Sequence, residues 1–480
     1  MAAPEKKPCH VVLVPFPAHG HVAPHMQLAR LLHARGIHVT LVHTELHYRR
    51  LVQANNGTVA TTVNIPGFGV EVIPDGLSLE APPQTLAAHL EALEQNCFEP
   101  FRELLRALED PDDVPRLSCV IADAPMSFAS LAARDVGVPD VQFFTASACG
   151  LMGHLQFEEL IKRGLVPLKG SSYKTDGTFD ATLDWVPGMK GMRLKDMPTF
   201  CHTTDADNAL LRIHVRQMHV VATSKAIILN TFHDYEKDVV DALAALLPRI
   251  YTVGPLSSIM AASLTAAPTS NGGDFSGLTD TAPTSLLQED TGCIKWLDGK
   301  EARSVVYVSY GSHAAMSSEK IKEFASGLES CGYPYLWVLR PDMAADVEVG
   351  KNGLVVPWCA QEAVLAHPAV GLFVTHCGWN SILETVMAGV PVLGWPMMSE
   401  QTTNCRQVSM SWKIGTELPQ EARGHEIAAL VREMMVGKKG LEARETTLKW
   451  KRLAEDATKE GGSSYGNLGS FVEDVLHEGF

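Results

Sequence analysis

The sequence predicts an α/β fold built as two parallel-sheet halves, and three observations carry that prediction. Short, β-rich apolar runs alternate with helix-like segments; the pattern starts twice, at "HVVLVPF" (10–16) and again at "SVVYVSYGS" (304–312); and the runs are continuously apolar, as strands buried on both faces of a sheet are. With 480 residues, 46% of them apolar, the chain can fill two such cores.

Taken in order, "HVVLVPF" reads as the first strand. "HMQLARLLHARG" follows as a helix with Leu28, Leu31 and Leu32 on one stripe and Gly36 as its terminator, and "IHVTLVHT" returns as a strand. A second unit runs through "SCVIADA" (118–124), the helix-like "MSFASLAARDVG" and "VPDVQFF" (138–144). The stretch 261–285, rich in Ser, Thr, Gly, Ala and Pro, has no periodic apolar face and reads as a flexible linker or surface loop. Beyond it, "YPYLWVLRP" (333–341), "GLFVTH" (371–376) and "VPVLGWP" (390–396) read as strands, and "GNLGSFVEDVLHEG" as a helical tail.

Composition narrows the partners. A formal charge of −15 argues against a surface made for nucleic acid or anionic lipid, so any anionic ligand must be held locally. Ten scattered cysteines without a C-x-x-C pair read as buried free thiols in a reducing compartment. The apolar run near the N-terminus is short and broken by Pro15 and Pro17, which suits a core strand better than a signal peptide, and no eighteen-residue apolar stretch suggests a membrane span. A cytoplasmic location, as a monomer, is expected.

Within the second half, "FVTHCGWNS" (373–381) reads as strand, turn and helix start. A zinc site would need a second ligand pair beside His376 and Cys377, and a cysteine nucleophile would need an activating base; a buried strand-end thiol is the plainer reading. A phosphate fits better: Gly378 permits close backbone approach, Asn380 or Ser381 can cap, and the positive end of the helix favours an anion.

The wider stretch from Trp358 to Gln401, "WCAQEAVLAHPAVGLFVTHCGWNSILETVMAGVPVLGWPMMSEQ", resembles the 44-residue nucleotide-sugar signature of the plant family 1 UDP-dependent glycosyltransferases. "PFPAHGHVAPHMQLARLL", "IPDGL", "CVIADA", "NTFHDYE", "YTVGPL", "CIKWLD", "VVYVSYGS" and "EGGSSYGNL" look like the same family in the same order, so the resemblance covers essentially the whole chain.

That resemblance implies the GT-B architecture: two Rossmann-like domains facing across a cleft, with the C-terminal helix returning to the N-terminal domain. The implied division is 1–252 for the acceptor-binding domain, 253–290 for the linker, 291–457 for the UDP-sugar-binding domain and 458–480 for the returning helix. It also implies that Trp358 stacks on uracil, Cys359 offers backbone contacts, Gln361 belongs to the donor set, and Glu384 binds the ribose hydroxyls, a carboxylate being able to accept both O–H groups of a diol. His376, Gly378, Asn380 and Ser381, with Gly311 and Ser312, would hold the diphosphate; Trp379, Glu400 and Gln401 would contact the transferred sugar. Taken singly, Trp358 is more often a core residue than a base platform and Glu384 more often a surface helix carboxylate; the joint spacing is what selects the donor site. Glu400 stands where the family usually has Asp, and the segment around 340–352 is shorter than usual.

Transfer of a sugar to a hydroxyl needs a base at the acceptor, and histidine suits that role. The family base maps to His21 in "AHGH", with His19 where Gln is commoner, and the acid that orients the base maps to Asp123. Without the family, His21 could be a loop-capping residue and Asp123 a helix cap. The expected activity is inverting, UDP-glucose-dependent O-glucosylation of a small apolar metabolite such as a terpenoid, cyanohydrin, phenolic or hormone. Neither a metal nor another cofactor is expected. "DAD" at Asp205–Asp207 reads as an acidic helix start rather than a metal motif. A nicotinamide dehydrogenase would need G-x-G-x-x-G, which both strand-to-helix loops lack. A non-catalytic UDP-sugar-binding protein is the remaining alternative. The acceptor side, 74–100 and 145–215, mixes apolar and small polar residues, which suits an apolar aglycone with a hydroxyl handle.

Overall fold

The structure, a computed structural model, describes residues 9–54, 65–79, 84–109, 115–265, 289–311, 316–344 and 350–477. Of the expectations above, Ser312, most of the linker and the middle of the short 340–352 segment lie outside the described residues.

Seven strands form the first sheet: β1 (His10–Val14), β2 (His38–Thr44), β3 (Phe68–Ile73), β4 (Leu117–Asp123), β5 (Asp140–Phe144), β6 (Ala226–Leu229) and β7 (Arg249–Thr252). Every pairing is parallel, in the order β3-β2-β1-β4-β5-β6-β7. The second sheet holds β8 (Val305–Ser309), β9 (Tyr335–Val338), β10 (Gly353–Val356), β11 (Val370–Thr375), β12 (Val392–Gly394) and β13 (Gly415–Glu417), also all parallel, in the order β10-β9-β8-β11-β12-β13. Both sheets therefore reverse direction beside their first strand, between β1 and β4 and between β8 and β11. In open α/β sheets that reversal opens a crevice at the strands' carboxyl ends, where ligands bind.

Continuously apolar strands demand cover on both faces, and each sheet has it. One face of the first sheet packs Leu13, Leu41, Ile121 and Phe143 against Leu28 and Leu32 of the helix His19–His33; the other packs Val12, Val42 and Val120 against Phe101 and Phe128. The second sheet buries Val308, Trp337 and Leu372 on one side and Tyr307, Leu336 and Phe373 on the other. The tail fulfils its expected role: helix Ser463–Phe471, continued by a π-helical turn Val472–His477, crosses back so that Leu468, Phe471 and Val475 join the first sheet's core.

Three local expectations change. The first helix begins at His19, six residues before "HMQLARLLHARG", and carries Pro24 inside it. The start of the 261–285 stretch is not loop: helix Leu256–Thr265 runs into it, anchored by Leu256 and Ile259 in the first sheet's core. "DAD" does not start a helix either. Asp205 accepts the Asp207 N–H in a turn at 2.9 Å, and Asn208 caps the helix that begins at Ala209.

Candidate functional site

The two crevices face one another across a single cavity of about 910 Å³. Every site residue expected from the sequence, apart from the undescribed Ser312, lines it: His21 and Asp123 from the first sheet, and Gly311, Trp358, Cys359, Gln361, His376, Gly378, Trp379, Asn380, Ser381, Glu384, Glu400 and Gln401 from the second.

On the first sheet's side, β4 ends at Asp123 and the chain after β1 enters its helix at His19, which puts His21 in the first helical turn rather than in a loop. His21 Nδ1 lies 2.7 Å from Asp123 Oδ2, which also accepts the Phe16 N–H at 3.2 Å. Asp123 thus spends its carboxylate on these two groups and makes no side-chain cap to the following turn. The side chain of Asp123 is 1% exposed, while that of His21 is 33% exposed to the cleft. Burial would lower the His21 pKa, but the charge of Asp123 and the bond to it outweigh burial and raise it. Burial would likewise raise Asp123, yet the His21 imidazole holds it below the usual carboxylate range. With Nδ1 committed, Nε2 is the nitrogen left for chemistry in the cleft. Thr145, just past β5, places Oγ1 2.9 Å from the same Nδ1. The sequence carried no signal for that contact, because only the β4–β5 pairing brings residue 145 to residue 21.

On the second sheet's side, β11 runs into His376, Cys377 and Gly378, and helix Trp379–Ala388 starts at once. Gly378 is the N-cap and no side chain caps the helix, so neither Asn380 nor Ser381 fills the capping role expected of them. The first ladder bond, Ile382 N–H to Gly378 O at 3.0 Å, leaves the N–H groups of the first turn outside the ladder, next to the His376 ring. Two glycines make room for that ring. A Cβ on Gly378 would come within 2.4 Å of His376 Nε2, and one on Gly311, whose φ of +75° already favours glycine, within 2.8 Å. Cys377, at φ 64°, takes a left-handed conformation rare outside glycine, and Asn404 Nδ2 fixes its carbonyl at 3.0 Å.

Gln361 ties the rest together. Its Oε1 accepts from Tyr307 OH at 3.0 Å, while its Nε2 donates to Ser381 Oγ at 2.8 Å and to Glu384 Oε2 at 2.5 Å. Burial, reinforced by the nearby Glu362 carboxylate, pushes Glu384 up to about 8 although the Gln361 bond opposes it. Gln401 uses Oε1 to accept the N–H groups of Met397 and Met398, both at 3.0 Å, which leaves its amide N–H₂ for a ligand. Glu400 lies against Gly150 of the first half, where a Cβ would come within 2.9 Å of its Cγ. The Trp379 side chain is already committed, its Nε1 donating to Asn230 O at 2.9 Å. His19 stands edge-on to the Trp358 ring across the cleft, with centroids 5.7 Å apart at 90°. Asn380 Nδ2 likewise crosses to Gly20 O at 3.0 Å.

The arrangement offers a buried acid–base pair on one wall and, opposite, a helix N-terminus with an imidazole beside an aromatic platform and a carboxylate. A proton can be taken on the first wall while negative charge is received on the second. Among the described residues, no group of three or more His, Cys, Asp or Glu side chains is placed to hold a metal ion.

Comparison with known proteins follows the same lines. Residues 273–447 match the family described as UDP-glucoronosyl and UDP-glucosyl transferase, and residues 7–162 match the glycosyltransferase N-terminal domain. The chain is similar to the 7-deoxyloganetin glucosyltransferase of Gardenia jasminoides, 39% identical over 495 residues that span 99% of each protein. It is also similar to the (R)-mandelonitrile beta-glucosyltransferase of Prunus dulcis, 41% identical over 490 residues covering 99% of this chain and 98% of that one. Among solved structures, Os79 from O. sativa in complex with UDP superposes with a TM-score of 0.78 at 27% identity, covering 97% of this chain and 100% of that one. A UDP-glucose: anthocyanidin 3-O-glucosyltransferase in complex with UDP gives 0.79 at 25% identity, covering 97% and 98%.

Proposed function

The chain belongs to the plant UDP-dependent glycosyltransferases, and from that premise we propose that it moves glucose from UDP-glucose to a hydroxyl of a small apolar metabolite, with inversion. The observation that carries the reading is the His21–Asp123 pair, assembled at 2.7 Å on one wall of the cleft and facing the His376 helix terminus on the other.

In this reading His21 Nε2 takes the proton of the acceptor hydroxyl as its oxygen attacks the anomeric carbon. The bond from that carbon to the diphosphate oxygen breaks in line, an α-linked donor gives a β-glucoside, and UDP leaves. Asp123 holds the imidazole in the needed tautomer and stabilises the imidazolium that forms. The first-turn N–H groups of helix Trp379–Ala388, with His376, receive the charge on the departing diphosphate, and no metal is assigned to the step. Trp358 is assigned to uracil, Glu384 to the ribose hydroxyls, and Gln401 and Glu400 to the sugar. Phe16, Leu46, Leu90, Phe144, Phe200 and Met218 supply the apolar part of the wall, which suits an aglycone of terpenoid or cyanohydrin kind. Ten buried free cysteines suit a reducing compartment such as the cytoplasm.

A transfer assay read by mass tests this: UDP-glucose with a panel of terpenoid, cyanohydrin and phenolic alcohols, in EDTA, for the wild type and His21→Ala. Hexose adducts that survive EDTA and fall by about 10²- to 10⁴-fold in the variant are expected. UDP-glucose binding without transfer to any acceptor would instead favour a non-catalytic sugar-nucleotide-binding protein.

A further inference from the structure

Away from His21 the cleft wall carries polar groups that the transfer step leaves unused. Helix Ala148–Leu155 is capped by Ser147, two residues beyond Thr145, and brings His154 about 10 Å further along its axis. Helix Ala209–Thr223 brings His214 and Gln217, three residues apart and so on one face. The two imidazoles stack at 5.6 Å and 16°, and Phe200 stacks on His214 at 3.8 Å and 24°, which fixes all three rings. His154, His214 and Gln217 are 5%, 8% and 1% exposed, and all three line the cavity.

The backbone sets the tautomer of each ring. His154 Nδ1 lies 2.8 Å from Gly150 O and His214 Nδ1 2.7 Å from Leu210 O, and a carbonyl neighbour requires the hydrogen on Nδ1. Burial lowers both groups, His154 to about 3 and His214 to about 4, so near neutral pH each ring is uncharged and its Nε2 is a lone-pair acceptor. Among the described residues each imidazole bonds through Nδ1 alone and its Nε2 is not among the fully buried atoms, whereas the Nε2 of Gln217 is fully buried and has no partner. Buried donors are nearly always paired, so an unpaired amide beside two imidazole acceptors that are not fully closed off is ready to be paired by a ligand toward which the Gln217 side chain turns.

We propose that the preferred acceptor carries a second hydroxyl group, on the part of its apolar body away from the reacting hydroxyl, which donates to the Nε2 of His154 or His214 and accepts from the Gln217 amide. A hydroxyl matches because it donates and accepts at once. A ketone or ether could satisfy only the amide, and a carboxylate would set its lone pairs against those of the two rings. The inference rests on the proposed glucosyl transfer and names the substrate class for it.

Matched acceptors test it: a ten-carbon terpenoid primary alcohol against its ω-hydroxylated analogue, and mandelonitrile against its para-hydroxylated analogue. Each pair is run on the wild type, His214→Phe, Gln217→Leu and the milder Gln217→Met, with UDP affinity as the check on folding. Calorimetry on the UDP complex reads acceptor binding separately from turnover. The dihydroxy member should win in the wild type by about 10- to 100-fold in kcat/KM, mostly through KM, and the ratio should fall toward one in the variants. A wild-type ratio near one, or variants that lose both members in proportion, overturns the proposal. Transfer without discrimination would remove the subsite and leave the transferase standing; tighter binding of the dihydroxy member with no transfer would keep the subsite and remove the reaction.

Discussion

His21 uses its two nitrogens differently, and that division makes its pH behaviour testable. Only the neutral imidazole can accept the acceptor's proton, so kcat/KM should rise with pH through the His21 pKa, which burial lowers and Asp123 raises further than burial can offset. Asp123→Asn deletes the raising charge. The rising limb should then move to lower pH while the plateau drops by about 10²- to 10⁴-fold, since the tautomer is no longer enforced. A limb that stays in place in the pH profile would mean that some other group titrates. Glu384 makes a second case, in the opposite sense. Burial and Glu362 push its carboxyl up to about 8, so below that pH the empty site holds a proton that ribose hydroxyls seeking a carboxylate must displace. UDP affinity should therefore strengthen as pH rises toward 8 and level off above it, with proton release visible when calorimetry is repeated in buffers of different ionisation enthalpy. Glu384→Gln should bind UDP more weakly and with no such pH dependence. A wild type whose affinity is flat from pH 6 to 9 would place the ribose elsewhere.

At the scale of elements, the first helix shows how a residue that looks like a boundary becomes part of the site. The apolar stripe alone starts this helix at His25, directly after Pro24. The helix instead runs from His19 through Pro24, which has no N–H to give the carbonyl four residues back, that of Gly20. That carbonyl accepts from Asn380 Nδ2 of the opposite half at 3.0 Å. The missing ladder bond is thus replaced by one that spans the cleft beside the base. Asn380→Ala should weaken UDP-glucose binding by about fivefold, the worth of one such bond. In a Pro24→Ala background the restored N–H competes for Gly20 O, so the Asn380→Ala penalty should shrink in a double-mutant cycle; strict additivity would disprove the link. The same case marks what was legible in the sequence. Eight of the thirteen described strands (β1, β2, β4, β5, β8, β9, β11 and β12), their parallel sense and the strand-to-helix turn at His376 follow from apolar runs and glycine placement, which are local, whereas β3, β6, β7, β10, β13 and the strand order do not. The helix start, the Thr145 contact and the bridging role of Gln361 depend on partners 20 to 360 residues away, which no local pattern records.

At the scale of the whole molecule, the question is what makes two sheets act as one body around the cleft. The direct interface is one answer, with bridges such as Trp379 to Asn230 at 2.9 Å and Ser147 to Asn404 at 2.6 Å and a shared apolar core in which Tyr235 stacks on Trp412 at 4.9 Å, and the returning tail is the other. Phe471 is fully buried in the first sheet's core and packs edge-on against Tyr251, with centroids 5.5 Å apart, although its helix follows directly from the long helix Lys438–Thr458, whose Ala443 packs in the second sheet's core. Replacing it with alanine should cost about 3–5 kcal/mol, the usual penalty for removing a buried aromatic, and the loss falls on the first sheet alone. UDP at a hundred times its Kd adds about 2.7 kcal/mol to whatever unfolds together with its site. If the tail couples the halves, the wild type melts in one transition that UDP moves upward as a whole. Phe471→Ala should then split the melt into two, the lower one unmoved by UDP and the upper one still raised by it. Scanning calorimetry with and without UDP reads the difference. A single, lower transition that still moves as a whole with UDP would put the coupling in the direct interface, whose shared apolar core includes Trp379 of the cleft wall, so that ligand binding and the joining of the halves depend on neighbouring contacts.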